Sequence, residues 1–424
     1  MKIFLNKIFN YKKKISIKDE LFLEISKLTK VSEVFKAISS FSETSEIRYV
    51  GGCVRKILDN EIVDDIDLAT NLRPEEVKKC LKLNNIKFYE TGIEHGTITA
   101  NIDNKNFEIT SLRKDIATDG RHAIVDFTTD WNEDASRRDF TINSIYADQE
   151  GNLFDPYDGV KHLKEGIISF IGDPEKRIQE DYLRILRYVR FFIKYSKQKH
   201  QPDIKKIIKQ NIKGVKNLSK ERLLSELKKI IDSDSLIKLC NDEFCKEIIL
   251  LIFPQLKNLD NFKKLNKYSI NIISKKDFTF LISLLVIDKT DNSDYFLYKF
   301  NTSNEMKKRI NFLKDKFQDL LDKDFFSKKN LQKIFYFYGK SYLIDIIDFK
   351  LFNSNKVNNN LIKLKDYFKE KEKPIFPVKA KTIMERYNIK EGKELGEKLK
   401  SLEILWVSNN FNLSEKEIDK VFLN

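Results

Sequence analysis

The chain is poor in cysteine. Cys53, Cys80, Cys240 and Cys245 are scattered through 424 residues, which argues against a disulfide scaffold. Cys240 and Cys245 lie five apart, and that is no usual zinc spacing. Free thiols in a reducing, cytoplasmic setting are the simple expectation. No run of about 18 apolar residues occurs, so no membrane-spanning helix is expected. The N-terminal "MKIFLNKIFNYKKKISIKDE" is basic and partly apolar. It lacks arginine and a cleavage-site pattern, which favours an ordinary first helix over a targeting peptide. Glycine becomes rare after about residue 161, which leaves few turn signals in the rear of the chain.

What is present begins with length and charge. A chain of this size divides into roughly two to four domains. It is 41% hydrophobic and 12% aromatic, enough for a sizeable core. The net charge of +14 is unevenly spread. Residues 1–150 hold 23 Lys+Arg against 26 Asp+Glu, and the remainder holds 55 against 38. An acidic front suits metal ions and a basic rear suits a polyanion, although a lysine-rich surface also serves solubility.

The front reads as α/β. "IRYV" (47–50) is a short strand ending at Gly51-Gly52, "CVRKILDN" a short helix and "DIDLAT" a second strand. "RPEEVKKCLKLN" is a helix, with Pro74 and two glutamates in its first turn. "HGTITANI" and "KNFEITSL" alternate like paired strands around a polar turn, and "AIVDFTT" is a further strand. After "NLFDPYDGV" (152–160) apolar residues follow helical spacing, with weak boundaries near Pro254, residues 353–359 and residues 373–377. The expected division is 1–150, 151–250 and 251–424. The fold class is α+β, a mixed-sheet head followed by helices.

The chemistry concentrates in the front. "DDIDLAT" places Asp65 and Asp67 two apart on the expected strand, on one face. Paired carboxylates repel unless a cation lies between them, and Mg²⁺ prefers such oxygen ligands; a solvated strand edge is the plain alternative. Upstream, the Gly51-Gly52 pair between strand and helix lets backbone N–H groups approach a phosphate chain, with Arg55 adding charge. Glu108, in "NFEITSL", belongs to a strand able to lie beside Asp67. Glycine turn, arginine and acidic cluster together suggest a nucleoside triphosphate held by metal ions.

These segments resemble the nucleotidyltransferase superfamily. More narrowly, "GGCVRK…DDIDLAT" resembles the first motif of class II tRNA nucleotidyltransferases, the CCA-adding enzymes, and of the related bacterial poly(A) polymerases. "RRDFTINSIYAD" (137–148), "DPYDG" (155–159), "EDYLRILRYVRFF" (180–192) and "LSKERLLSELKKI" (218–230) resemble the next four motifs in order. The stretch containing His122, "TDGRHA", resembles the family's flexible loop, and "FPVKAKTIMERYNIKEGKELGEKLKSLEILWV" resembles the closing segment of CCA-adding enzymes. One departure is Lys56, where the family usually has aspartate after "GGxVR".

The resemblance implies an α/β head followed by helical neck, body and tail, and nucleotidyl transfer to the 3′ end of tRNA from CTP and ATP. It implies Mg²⁺ at Asp65 and Asp67, with Glu108 beside them. Arg138, Asp139 and Asn143 are implied in nucleotide binding, with a ribose hydroxyl as the target of Asp139 and Asn143.

"EDYLRILRYVRFF" sets Asp181, Arg184, Arg187 and Arg190 at every third residue of an expected single helix, with Tyr182, Leu186, Val189 and Ile193 on the other half. A carboxylate only accepts and a guanidinium only donates. An Asp181–Arg184 pair therefore fits cytosine and adenine, which present an amine beside a ring acceptor, and misfits guanine and uracil. The resemblance assigns this templating role to the pair. Arg187 and Arg190 then hold phosphates or brace it. The plain alternative is a solvent-exposed basic stripe. The rival functions are a poly(A) polymerase, an enzyme adding only CC or only A, and a catalytically silent RNA-binding protein. No HD-type metal motif suggests an appended phosphohydrolase.

Overall fold

The computed structural model describes residues 17–118, 123–317, 324–354 and 357–423. The chain forms two compact units, Met1–Leu227 and Lys228–Asn424.

The first unit is built on a seven-stranded mixed sheet. Its strands are β1 (Ile47–Val50), β2 (Asp67–Thr70), β3 (Lys87–Gly92), β4 (Thr97–Ile102), β5 (Lys105–Ser111), β8 (Tyr146–Ala147) and β9 (Leu153–Phe154). They lie in the order β3-β4-β5-β2-β1-β8-β9, and a separate ribbon pairs β6 (Arg113–Thr118) with β7 (Ala123–Phe127). β4 and β5 form a hairpin whose turn residues, Asp103 and Asn104, both have positive φ, at 50° and 61°. That conformation matches the twist of a two-residue hairpin and suits Asp and Asn. The hairpin delivers β5 alongside β2 in parallel, with Asp67 level with Glu108.

Helices Ile17–Thr29, Val31–Ser39, Gly52–Leu58 and Pro74–Leu83 cover the sheet. Their apolar faces share one core with it, including Val34, Phe35, Ile38, Val54, Val77 and Leu81 against Tyr49, Leu68, Ile98 and Ile109. Tyr49 is fully buried between Phe22 and Phe35, with ring centroids 5.4 and 4.8 Å away. Pro74 opens its helix as expected, and Glu76 accepts from the Arg73 N–H at 2.8 Å.

The expected strand over "DIDLAT" is shorter than its pattern. β1 pairs with Leu68–Thr70, and Gly51 then turns the chain away at φ 65°. Asp65 and Ile66 have no ladder partner, so Asp65 lies in the loop before the strand. β3, β6, β8 and β9 are additional strands that the sequence pattern did not mark.

Beyond the sheet, helices Gly159–Glu165, Pro174–Glu180, Leu183–Tyr195 and Pro202–Asn211 complete this unit together with most of Lys220–Ile230. Phe140 joins them to the head. Its ring lies 4.7 Å from Phe170 and 5.4 Å from Phe191.

The second unit is helical in its described residues. Phe253, Phe262, Phe280, Phe296 and Phe300 are fully buried in it. Its buried Asp345 and Asp348 each bind Lys276 at 2.8 Å, and Asp345 also binds Arg309 at 2.5 Å. Ile383, Leu395, Leu402 and Phe422 form a smaller C-terminal core. Among the described residues, no helix is long and apolar enough to cross a membrane.

Candidate active site

The glycine turn opens the site. Gly51 stands at φ 65°, a conformation that favours glycine. A Cβ there would meet Arg138 Nη1 and the Asn143 carbonyl oxygen at 3.4 Å, and a Cβ on Gly52 would meet Asp67 Oδ2 at 3.7 Å. The two glycines therefore keep clear the ground between Asp67 and Arg138. Cys53, the next residue, ties this turn to the acidic strand: its Sγ donates to the carbonyls of Val50 at 3.3 Å and Asp67 at 3.4 Å. Burial pushes that thiol up to about 12.

Asp67 is half-buried at the start of β2, next to the exposed Glu108 on β5, and Asp65 is exposed two residues earlier. Burial, then Glu108, then Asp65 push the Asp67 carboxyl above its ordinary value, while Arg138 and Lys56 oppose them. Among the described residues no lysine or arginine forms an ion pair with Asp65, Asp67 or Glu108. Lys56, the departure noted above, bonds instead to Asp64, Nζ to Oδ2 at 3.3 Å. Asp67, Glu108 and Asp65 are hard oxygen donors without an ion-pair partner among the described residues, and donors of that kind suit a divalent cation.

A second set of acids lies deeper and is fully compensated. Asp134 is 1% exposed. It accepts from Arg137 Nη2 at 2.5 Å, Arg138 Nη2 at 2.9 Å and the Tyr146 hydroxyl at 2.7 Å. Burial alone would raise this carboxyl, yet Arg138 and Arg137 hold it well below the carboxylate range. Asp139 accepts from the Phe140 N–H and Asn143 Nδ2, both at 2.9 Å, and pairs with Arg187 Nη2 at 2.5 Å. It too is held low against burial, Arg187 being the main cause. Asn143 Oδ1 in turn accepts from Arg55, whose guanidinium lies 4.8 Å from the Phe191 ring and 5.0 Å from Tyr195. Arg55 is thus buried and braces Asn143 rather than projecting toward a phosphate. Arg187, Asp139, Asn143 and Arg55 form one connected chain beneath the glycine turn.

The expected single helix over 180–192 is two. Pro174–Glu180 ends, Asp181 is extended at φ −153° and ψ 103°, and Leu183–Tyr195 begins after it. The break has a cause in Asp181 itself. Its Oδ1 accepts from the Leu183 N–H at 3.1 Å, a local bond of the kind that competes with continued helix, while Oδ2 accepts from Arg222 Nη2 at 2.7 Å. The ring of Tyr182 fills the space beside Gly214, where an added Cβ would come within 2.1 Å of it.

No hydrogen bond or ion pair joins the side chains of Asp181 and Arg184. Arg184 Nη1 donates instead to Glu180 Oε2 at 2.6 Å and to the Arg177 carbonyl at 2.5 Å. Arg177 donates to Glu180 and, at 2.7 Å, to the Arg138 carbonyl. Arg190 faces Glu226 at 2.9 Å, and burial lowers its guanidinium to about 10. So Arg187 and Arg190 brace other acids and form no solvated stripe. Leu186, Val189 and Ile193 are buried as expected.

Sequence reasoning missed Asp134, Arg177, Glu180, Arg222 and Glu226. Asp134 carried a signal in "WNEDASRRD", where Arg137 and Arg138 follow at i+3 and i+4. The partners of Asp181 and Arg190 are distant in sequence and carried none. His122 and most of its "TDGRHA" stretch lie outside the described residues.

Comparison with known proteins agrees with this geometry. Residues 47–169 match the model of the poly A polymerase head domain. The human protein named CCA tRNA nucleotidyltransferase 1, mitochondrial, is 35% identical over 386 residues, which cover 89% of this chain and 86% of that one. The CCA-adding enzyme of Staphylococcus haemolyticus is 32% identical, over 74% of this chain and 75% of its own length. Among solved structures, the Bacillus stearothermophilus CCA-adding enzyme in complex with CTP superposes with a TM-score of 0.66 at 22% identity, covering 90% of this chain and 93% of that one. The chain belongs to the family of CCA tRNA nucleotidyltransferases, the CCA-adding enzymes.

Proposed function

We propose that this enzyme adds C, C and A to the 3′ end of tRNA from CTP and ATP, releasing pyrophosphate at each step. The observation that carries the assignment is Asp67 beside Glu108, facing the Gly51-Gly52 turn with Arg138 across it. Asp65 and Asp67 are the residues that hold Mg²⁺. When bound, this ion supplies the positive charge that favours the ionised 3′-hydroxyl and neutralises the triphosphate.

The chain's own residues position the reactants. The Gly51 N–H donates to the Ile145 carbonyl at 3.1 Å, so the turn offers a phosphate the N–H of Gly52 at the start of the helix, and Arg138 Nη1 points to the same space. Asp139 and Asn143, fixed by Arg187 and Arg55, orient the ribose. The hydroxyl oxygen then bonds to the α-phosphorus as the bond to pyrophosphate breaks, and no covalent protein intermediate is required.

Asp181 and Arg184 read the base. The braces on them leave capacity: each Asp181 oxygen has a second lone pair, and Arg184 retains donors beyond Nη1. Arg222 and Glu180 thus hold the pair in place while its free sites face a base.

The basic rear supports tRNA binding through the phosphate backbone, which weakens steeply with salt. Head 1–150, neck 151–250, and body with tail 251–424 are the functional parts of this reading. Four free, buried cysteines support a reducing, cytoplasmic location.

The test is to incubate the protein with tRNA lacking its 3′ end, supply CTP, ATP or both, and sequence the products. Growth that stops at CCA supports the assignment. Long A-tails on any RNA overturn it in favour of a poly(A) polymerase, and no incorporation leaves only RNA binding.

A further inference from the structure

In the helical unit, three aromatic rings from three helices meet at the surface. Phe312 lies on helix Asn304–Asp315, Tyr338 ends helix Lys328–Tyr338, and Tyr342 lies on the first turn of Lys340–Phe352. The Phe312 ring is 4.8 Å from Tyr338 and 4.9 Å from Tyr342. These rings line a cavity of about 460 Å³ whose rim includes Lys308, Asn311 and Asp315. Phe312 is buried and anchors the group, but Tyr338 is 50% exposed.

A tyrosine face half in water at the mouth of a cavity suits stacking. Lys308 is exposed and forms no ion pair among the described residues. The unit is basic overall, with 38 Lys+Arg against 28 Asp+Glu in residues 228–424. Asn311 and Asp315 occupy one helix face at i and i+4 and offer acceptors to base N–H groups. Aromatic faces, a free cation and short polar side chains in one concave site are the combination that takes an unstacked nucleotide.

We propose that Tyr338, with Phe312 and Tyr342 behind it, stacks on one unstacked base of the RNA substrate, with Lys308 on the adjoining phosphate. This rests on the reading of the chain as a tRNA-acting enzyme and adds a contact remote from the acidic site. Charge complementarity favours RNA over a protein partner, since the unit as a whole carries excess positive charge and Lys308 and Lys316 line the cavity beside one acid, Asp315.

The test measures the affinity of the full-length protein for a tRNA transcript lacking its 3′ end, by fluorescence anisotropy over a range of salt. Tyr338→Ala is expected to raise Kd about tenfold, in line with the cost of losing one base stack. Tyr338→Trp should restore binding. Tyr338→Ala should leave the salt slope unchanged, while Lys308→Ala lowers it by about one. The melting temperature of Tyr338→Ala should match the wild type. In the incorporation assay, Tyr338→Ala should raise KM for tRNA and spare kcat.

Unchanged affinity for RNA in a normally folded Tyr338→Ala protein overturns the proposal. So does a wild-type protein that self-associates through this patch while the variant is monomeric with unaltered RNA affinity. If the wild type binds tRNA tightly without extending it, the activity assignment fails and the stacking site is still decided by the Kd values.

Discussion

Two sets of acids in the head lie close in space and differ in who supplies their positive charge. Asp134 and Asp139 are buried, and arginines of the same chain hold both carboxyls below their ordinary value. Asp67, with Glu108 and Asp65 beside it, is pushed the other way. The first set is complete within the protein and organises the arginines. The second has no ion-pair partner among the described residues, and Arg138 and Lys56 offset its mutual repulsion in part. The contrast is one of electrostatics, although all are aspartates or glutamates: one set is neutralised by arginines of the chain and the other has no ion-pair partner among the described residues.

Breaking the second set should abolish chemistry and spare the fold. Asp67→Ala is expected to reduce nucleotide incorporation by about a thousandfold or more, because several kcal/mol of charge stabilisation are lost. Its melting temperature should not fall, since a carboxylate repelled by its neighbours has been removed. RNA affinity measured on the same sample should be retained.

Breaking the first set should do the opposite. Asp134→Ala leaves the Arg137 and Arg138 guanidiniums without their shared partner, a loss of about 3–5 kcal/mol for a buried network. Thermal melting should show a large drop, and activity should fall with it, both through unfolding and through the release of Arg138.

Acid sharpens the same contrast. Asp134 and Asp139 have folded-state values below their unfolded ones. Their contribution is complete above the ordinary carboxylate range, about pH 4, and is lost as pH falls below it. Asp67 has the reverse sign, so its ionisation costs stability as pH rises. A melting-temperature profile from pH 3 to 7 should fall steeply at the acid end. Asp139→Asn should flatten that fall.

The smallest effects belong to base reading. Asp181→Ala should cut discrimination between CTP and UTP about tenfold, with weaker loss of triphosphate affinity. Arg222→Ala removes the brace on Asp181 at 2.7 Å and leaves the carboxylate itself in place, so a few-fold loss of discrimination is expected in competition assays with mixed triphosphates.

The ordering of these effects reflects what a linear sequence displays. The glycine turn, the strand beginning at Asp67 and the hairpin that sets Glu108 beside it were legible, because strand alternation and turn chemistry are local signals; the placing of Asp65 on the same strand was not, since the ladder starts only at Asp67. So was the change from α/β to helical texture near residue 160. The geometry of Asp181 was misread. Helical periodicity runs through residues 180–192, while the bonds of Asp181 to Arg222 and to the Leu183 N–H accompany a break that the periodicity does not show. Arg55 illustrates the same limit: an arginine one turn after two glycines reads as a phosphate ligand until Phe191, Tyr195 and Asn143 are seen around it. Long-range partners such as Glu226 leave no local trace.

The central claim is that the outer acids receive their countercharge from a bound cation and the inner acids from arginine. A titration of melting temperature against Mg²⁺ tests it without relying on catalysis, since a ligand that binds only the folded state stabilises it. The account expects Mg²⁺ to raise the melting temperature of the wild type and of Asp139→Asn, and to leave an Asp65→Ala/Asp67→Ala protein unmoved. Equal shifts in the wild type and the double variant would contradict it.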